Sequence, residues 1–364
     1  MSLLVKNSAK PSDKPSTAVS TGPQSTGRKI RWQWLAATIT VLLIALLSLS
    51  LGRFSVPFNE VLRMLVGQFF DIRQTWTQQE AQVVLGSRLP RVLLALIVGA
   101  GLALAGATLQ AVFRNPLVSP QVVGVSNGAS FGGVLAMVVG LGSFGLVSLS
   151  FLMGIVALVL VIWIGKTRSG GSILMIVLGG VVVSALFSAL VSFMTLIADP
   201  YTELPSIVFW LMGSLAAASP AKVLIALIPI GVGTAVILAL RWRVNILSMG
   251  DQDAKSLGIN PQPLRILLLV MIALMTAGAV AVVGVVGWVG LVVPHFARLL
   301  AGPDHRVLLP MSALIGAGYL TLIDTLSRSV TATELPVGIL TAIIGAPVFI
   351  MLLRAVHRRG GLSG

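Results

Sequence analysis

From residue 32 onward, apolar runs of about twenty residues recur to the C-terminal end, separated by short polar segments. They leave the chain one solvent to fold in. A bilayer core of about 30 Å is crossed by about 20 helical residues, and inside it the backbone must satisfy its own N–H and C=O groups. The pattern predicts an all-α integral membrane protein with about ten transmembrane helices. The expected spans are 32–51, 89–113, 117–140, 144–165, 172–197, 223–240, 266–286, 288–300, 307–327 and 335–356. The eighth is too short to cross unaided and reads as a partly re-entrant piece buried in protein.

Residues 1–31 are rich in Ser, Pro, Thr and Lys and read as a disordered cytoplasmic tail, unlike a signal peptide because no apolar core comes early. The ten-helix membrane-spanning body is expected over 32–357, with a short tail at 358–364. Ten crossings put both termini on one side. Eighteen of the 25 Lys and Arg then fall on the side of the termini, which makes that side cytoplasmic. The net charge of +14 is thus spread over short loops as a topology signal, and nucleic acid is not an expected partner. There is no cysteine, and His295, His305 and His357 are scattered, so no metal site is expected.

Chemistry inside the membrane would need ionisable groups there. Of the 11 acids only Asp324 falls within a span. A carboxylate at that depth needs a partner, and Arg328, one helical turn on, predicts a structural Asp324–Arg328 pair. A lone acid disfavours a proton-coupled secondary carrier. The spans also lack the paired acids, metal ligands or nucleophile–base pairs of an intramembrane enzyme. Energy for transport would have to enter from the cytosol.

The place for it is the polar island Arg241–Arg265 between two apolar runs. Within it, GDQDAKSLG reads as a short helix stopped by Gly258, and Pro261 and Pro263 close the segment. It is either an ordinary loop or a handle gripped by a cytosolic partner. Small residues spaced by four mark close helix approach: Gly99, Ala103 and Ala107; Gly180, Ser184 and Ser188; Gly338, Ala342 and Ala346. Packing within the chain is the default for each stripe, and a subunit interface or a smooth solute pathway is the alternative. On the outer side Arg88, Arg91 and Arg328 are either interfacial anchors or a docking site for an acidic partner.

Five stretches together carry a resemblance: RLPRVLLALIVGAGLALAGATLQAVFRNPLVSP at 88–120, VVGVSNGAS at 122–130, GDQDAKSLG at 250–258, GWVGLVVPHFARLLAGPDHRVLLP at 287–310 and ELPVGILTAIIGAPVFIMLL at 334–353. The chain resembles the FecCD-like permeases of type II ABC importers, which take up iron–siderophore complexes, haem and vitamin B12. That resemblance implies ten spans per subunit in the bacterial inner membrane, a pair formed with a second permease copy or paralogue, and membrane lipid around it. It also implies two cytosolic ABC ATPases below and a periplasmic or lipid-anchored binding protein above.

By the same resemblance, 245–262 forms the coupling helices, with Gly250, Asp251, Asp253, Ala254, Leu257 and Gly258 meeting the ATPase. Arg88 and Arg328, with Arg91 beside them, would meet acids of the binding protein. Spans five and ten would line the pathway through Gly180, Ser184, Ser188, Gly338, Ala342 and Ala346, with a cytosolic gate around Gly171 and Ser172. Asn115, Pro116 and Asn127 are expected to be structural. No glycine-rich phosphate loop with Lys and Ser/Thr is present, so no cofactor is expected in this chain, ATP and Mg belonging to the ATPase. A ferric siderophore is the expected solute, with haem, cobalamin and molybdate as alternatives.

Overall fold

A computed structural model describes residues 24–166, 173–331 and 333–360, which form fifteen α-helices and no strand among the described residues. In chain order the first seven are α1 (Gln24–Ser50), α2 (Phe58–Val66), α3 (Gln78–Ala81), α4 (Leu89–Phe113), α5 (Val125–Val138), α6 (Ser143–Gly165) and α7 (Ile173–Ile197). Then come α8 (Glu203–Leu211), α9 (Pro220–Ala239), α10 (Arg241–Met249), α11 (Asp251–Ser256), α12 (Pro261–Val283), α13 (Val289–Ala301), α14 (His305–Ser329) and α15 (Val337–Gly360). Seven helices are long and apolar enough to cross a membrane, and three shorter apolar ones, Val125–Val138, Val289–Ala301 and Val337–Leu352, bring the set to ten.

The tail differs from expectation at its end. Helix α1 already begins at Gln24, so the last residues assigned to a disordered 1–31 are helical and continue the first span. Residues 1–23 and 361–364 lie outside the described residues, as do Gly171 and Ser172 of the expected gate.

Helices α4 and α12 form the centre. The span windows of the helices that contain them are 78% and 72% buried, against 17% for α1, which lies at the lipid-facing rim. Burial follows from side-chain size, because helices in lipid associate by close packing and not by escape from water. The Gly99, Ala103 stripe of α4 lies against Gly316 of α14, backbone on backbone. Lower on α4, a Cβ at Gly106 would collide with the Gly290 backbone of α13. For this stripe the intra-chain reading holds. Gly106→Val is expected to cost at least about 1–3 kcal/mol, since neither backbone has room to yield. Gly231→Ala on α9, where an added Cβ meets nothing within 4 Å, is expected to be neutral or slightly stabilising. Thermal unfolding midpoints in detergent compare the two.

Two spans depart from the regular pattern. The third was expected to be helical from 117, but α5 starts only at Val125. Pro116 and Pro120 disfavour helix before them, and 115–124 instead runs as turns with a short 3-10 stretch at Pro120–Val123. The eighth is short, as expected, because the chain leaves α12 at Gly284 (φ 72°) and reaches α13 through Trp288 (φ 68°). The 284–288 stretch is buried or half-buried in protein, where such backbone is tolerated, whereas 115–117 and 121 of the first stretch are exposed. Pro120 packs beside Gly290 at the start of α13. Ser214 N–H donates to the Val283 carbonyl at 2.8 Å, and the Val337 and Gly338 N–H groups donate to Gly213 and Met212 at 2.9 and 3.0 Å.

Candidate functional site

The polar island folds into α10 and α11, joined at Gly250, whose φ of 154° and ψ of 160° turn the chain between them. Helix α11 ends as its sequence predicts. Gly258 adopts φ 76°, its N–H reaches the Lys255 carbonyl at 3.0 Å, and Ile259 N–H reaches Ala254 at 2.9 Å. These are the two bonds of a Schellman stop. Ala254 is fully buried and seats the knob, while Leu257 is 56% exposed and Asp253 is exposed. Asp251 fastens it. Arg265 at the start of α12 donates to both carboxylate oxygens at 2.9 and 3.1 Å, and Arg114 at the end of α4 adds a longer bond of 3.4 Å.

Arg114 takes that position because it closes α4 in the left-handed region, φ 51°. Behind it the Asn115 side chain accepts from Leu117 N–H at 2.9 Å, the turn expected of an Asn before Pro116. Sequence reading had counted Arg114 only as one more cytosolic charge. It had also passed over Met249, 64% exposed beside the knob. Nearby, Asp304 caps α14, and the hydrogen-bonded Arg306 guanidinium keeps its carboxyl below the usual range.

At the opposite end the three outer arginines are not presented to solvent. Arg88, Arg91 and Arg328 are each only 6% exposed. Arg88 donates to the carbonyls of Leu49 at 2.8 Å, Ser50 at 3.0 Å and Phe54. Arg328 donates to Leu51 at 2.7 Å, to the Ser48 hydroxyl at 2.7 Å and to the Ser48 carbonyl. Both guanidiniums therefore cap the C-terminal end of α1, where carbonyls lack helical partners and the dipole favours cations.

The expected Asp324–Arg328 pair is present at 3.6 Å, but it is not the closest ion pair of this acid. Asp324 is fully buried, and its close partner is Arg91 of α4, with Nε 2.9 and 3.0 Å from the carboxylate oxygens. Arg328 Nε stands off at 3.6 Å because its terminal nitrogens serve α1. Arg91 also reaches Glu334 at 2.9 Å, so one guanidinium ties α4, α14 and the segment before α15 together.

The stripes expected to line a pathway are partly used inside the chain. Gly180 is buried against the Val122 carbonyl, and the Ser184 carbonyl accepts from Asn127 at 3.1 Å. Gly338 bonds Met212, whereas Ala342 and Ala346 are half-buried and Ser188 is exposed. The open face of α7 carries Leu178, Val182, Leu186 and Phe193 instead. Among the described residues no cluster of His and acids could hold a metal ion.

Known proteins similar to this chain in sequence and fold sharpen the assignment. The profile of the FecCD transport family matches residues 39–355. The molybdate import system permease protein MolB of Haemophilus influenzae is 42% identical over 90% of this chain and 96% of its own length. An iron chelatin transport system permease protein of Helicobacter pylori is 44% identical, covering 74% of this chain and 82% of that one. A metal-chelate type ABC transporter solved in an inward-facing conformation superposes with a TM-score of 0.79 at 42% identity, covering 88% of this chain and 98% of that one. Ten apolar helices among the described residues, with α4 and α12 at their centre, a polar knob between two spans and permease relatives matched along most of their length agree: the chain belongs to the FecCD transport family, as a membrane-spanning ABC importer permease.

Proposed function

We propose that this permease is driven by ATP hydrolysed on cytosolic partner subunits and that α10 and α11 receive the stroke. The observation that carries the reading is the construction of α11. It is rooted by buried Ala254 and by Asp251 held between Arg265 and Arg114, and it projects Leu257 and Asp253 outward. A push on the knob passes directly to α4 and α12, the two most buried spans. The described residues offer no charge relay through the membrane that could power transport otherwise, since Asp324 is tied between guanidiniums at the outer end of α14.

A second permease would cover the apolar open face of α7, and a pathway between the two copies would be smooth. Smooth walls suit a bulky solute that must not stick, which favours a ferric siderophore. An oxyanion such as molybdate is the second reading, favoured by the likeness to the Haemophilus influenzae permease along nearly its whole length. A binding protein would dock on the outer face near Glu334, and its acids would engage Arg88 and Arg328 only by taking them from α1.

The test is uptake by the complete transporter in proteoliposomes, with ferric siderophore and molybdate as alternative cargo. Uptake is expected to persist when the proton gradient is collapsed and to stop when ATP is removed. Uptake driven by a proton gradient without ATP would discard the reading, and the cargo accumulated decides between the two solutes.

A further inference from the structure

We propose that a cavity on the face of the coupling knob binds an oxyanion of the phosphate class and shares Arg114 with α11. The cavity measures about 470 Å³ and opens between the ends of α4, α10, α13, α14 and α15. Its polar wall is made by Gln110 and Arg114 of α4 and its cap, Ser248 of α10, His295 and Arg298 of α13 and His305 of α14. No Asp or Glu lines it among the described residues. Of the acids beside it, Asp304 holds Arg306 at 2.6–3.0 Å, and Asp251 holds Arg265 at 2.9 Å and Arg114 more loosely at 3.4 Å.

The donating part of the wall is Gln110 with the two arginines, since the Ser248 hydroxyl is spent on the Asn245 carbonyl and His295 Nδ1 on the Leu291 carbonyl. Arg298 donates to the Gln110 side-chain oxygen at 3.1 Å, and a guanidinium has no acceptor, so the amide orientation is fixed. The Gln110 NH2 is thereby left as a donor, and in a residue only 3% exposed it has no partner. A buried donor left unpaired costs about 1–3 kcal/mol, so it marks a place for an acceptor. Two arginines beside it without a lining carboxylate make that acceptor an anion. The remaining wall is apolar, which strengthens the attraction. A tetrahedral oxyanion with several waters fits the volume, each water occupying about 30 Å³.

Arg114 connects this cavity to the knob. Its bond to Asp251 is long, 3.4 Å, and Asp251 keeps the shorter Arg265 bond when Arg114 turns away. An anion in the cavity therefore draws on Arg114 without releasing α11, and it loosens the tie between α11 and α4. Free phosphate or molybdate and the headgroup of an anionic phospholipid offer the same chemistry.

The experiment uses the full-length permease in nanodiscs of phosphatidylcholine and follows its thermal unfolding midpoint. Inorganic phosphate and molybdate are titrated against chloride at equal ionic strength, and a second preparation contains phosphatidylglycerol. A saturable rise with the free oxyanions assigns the site to them, as binding to the native state must stabilise it. A rise seen only with phosphatidylglycerol assigns it to the headgroup. Gln110→Glu keeps the Arg298 pair in the same shape and places a negative charge in the cavity, so it is expected to weaken either effect at least about tenfold. Arg114→Gln, at a half-exposed position, is the second variant and is expected to weaken it about threefold or more. No rise with either ligand class, or an undiminished rise in both variants, overturns the proposal.

Discussion

Arg91→Met is expected to destabilise the folded permease by about 3–5 kcal/mol, because it leaves a buried carboxylate without its close partner. Asp324 has no exposed surface, and its other ion-pair partner among the described residues, Arg328, stands at 3.6 Å with its terminal nitrogens committed to α1. The loss is read as a fall in the thermal unfolding midpoint in detergent, with less folded protein recovered from the membrane. Arg91→Met combined with Asp324→Leu removes both charges and is expected to regain most of the stability, since a buried pair replaced by apolar groups is often neutral. Glu334→Gln, which removes the half-exposed partner, is expected to cost no more than about 1 kcal/mol. If the single Arg91 variant unfolds with the wild type, the clamp joining α4 and α14 is not what holds the outer end together.

Leu257→Asp is expected to abolish ATP-driven uptake while leaving the permease inserted and folded. The side chain is 56% exposed at the end of α11, so stability should move by no more than about 0.5 kcal/mol. A charge at an apolar contact that a partner desolvates costs far more than it does on a free surface. Gly258→Val acts by another route, since a β-branched residue at φ 76° strains the Schellman stop and frays the last turn. ATPase activity and uptake, measured on the reconstituted complex, should separate in both variants, with hydrolysis persisting as uptake falls. Full uptake by Leu257→Asp would remove α11 from the transmission path.

How far the sequence could be read depended on the range of the interaction. The second span was legible at its C-terminal end, 113, because the apolar run stops at Asn115–Pro116, whereas at its start the helix runs on unbroken from Gln78 through a π-helical stretch at Gln82–Arg88 that the more polar sequence did not announce. The stop at Gly258 was legible for the same local reason. The third span was misread at its start, because apolar content does not distinguish a helix from irregular backbone buried by neighbours. Its two prolines were the available signal. The site divided in the same way. The knob's residues were visible as a polar island, but Arg114, which ties the knob to α4, and the unpaired Gln110 amide behind it had no local mark.

By itself the sequence determined the solvent, the number of crossings, the helix ends set by Pro, Gly and Asn, and the place of the cytosolic knob. These follow from transfer free energy and backbone stereochemistry, which act over a few residues. Only the tertiary structure decided where the arginines point. Arg91 meets a carboxylate 233 positions away and Arg328 meets carbonyls 277 positions away. A guanidinium in a sequence advertises five donors but not their acceptors. Here Arg88 and Arg328 cap a helix and Arg91 pairs with a buried acid, where their positions in the chain had left interfacial anchoring and docking equally open.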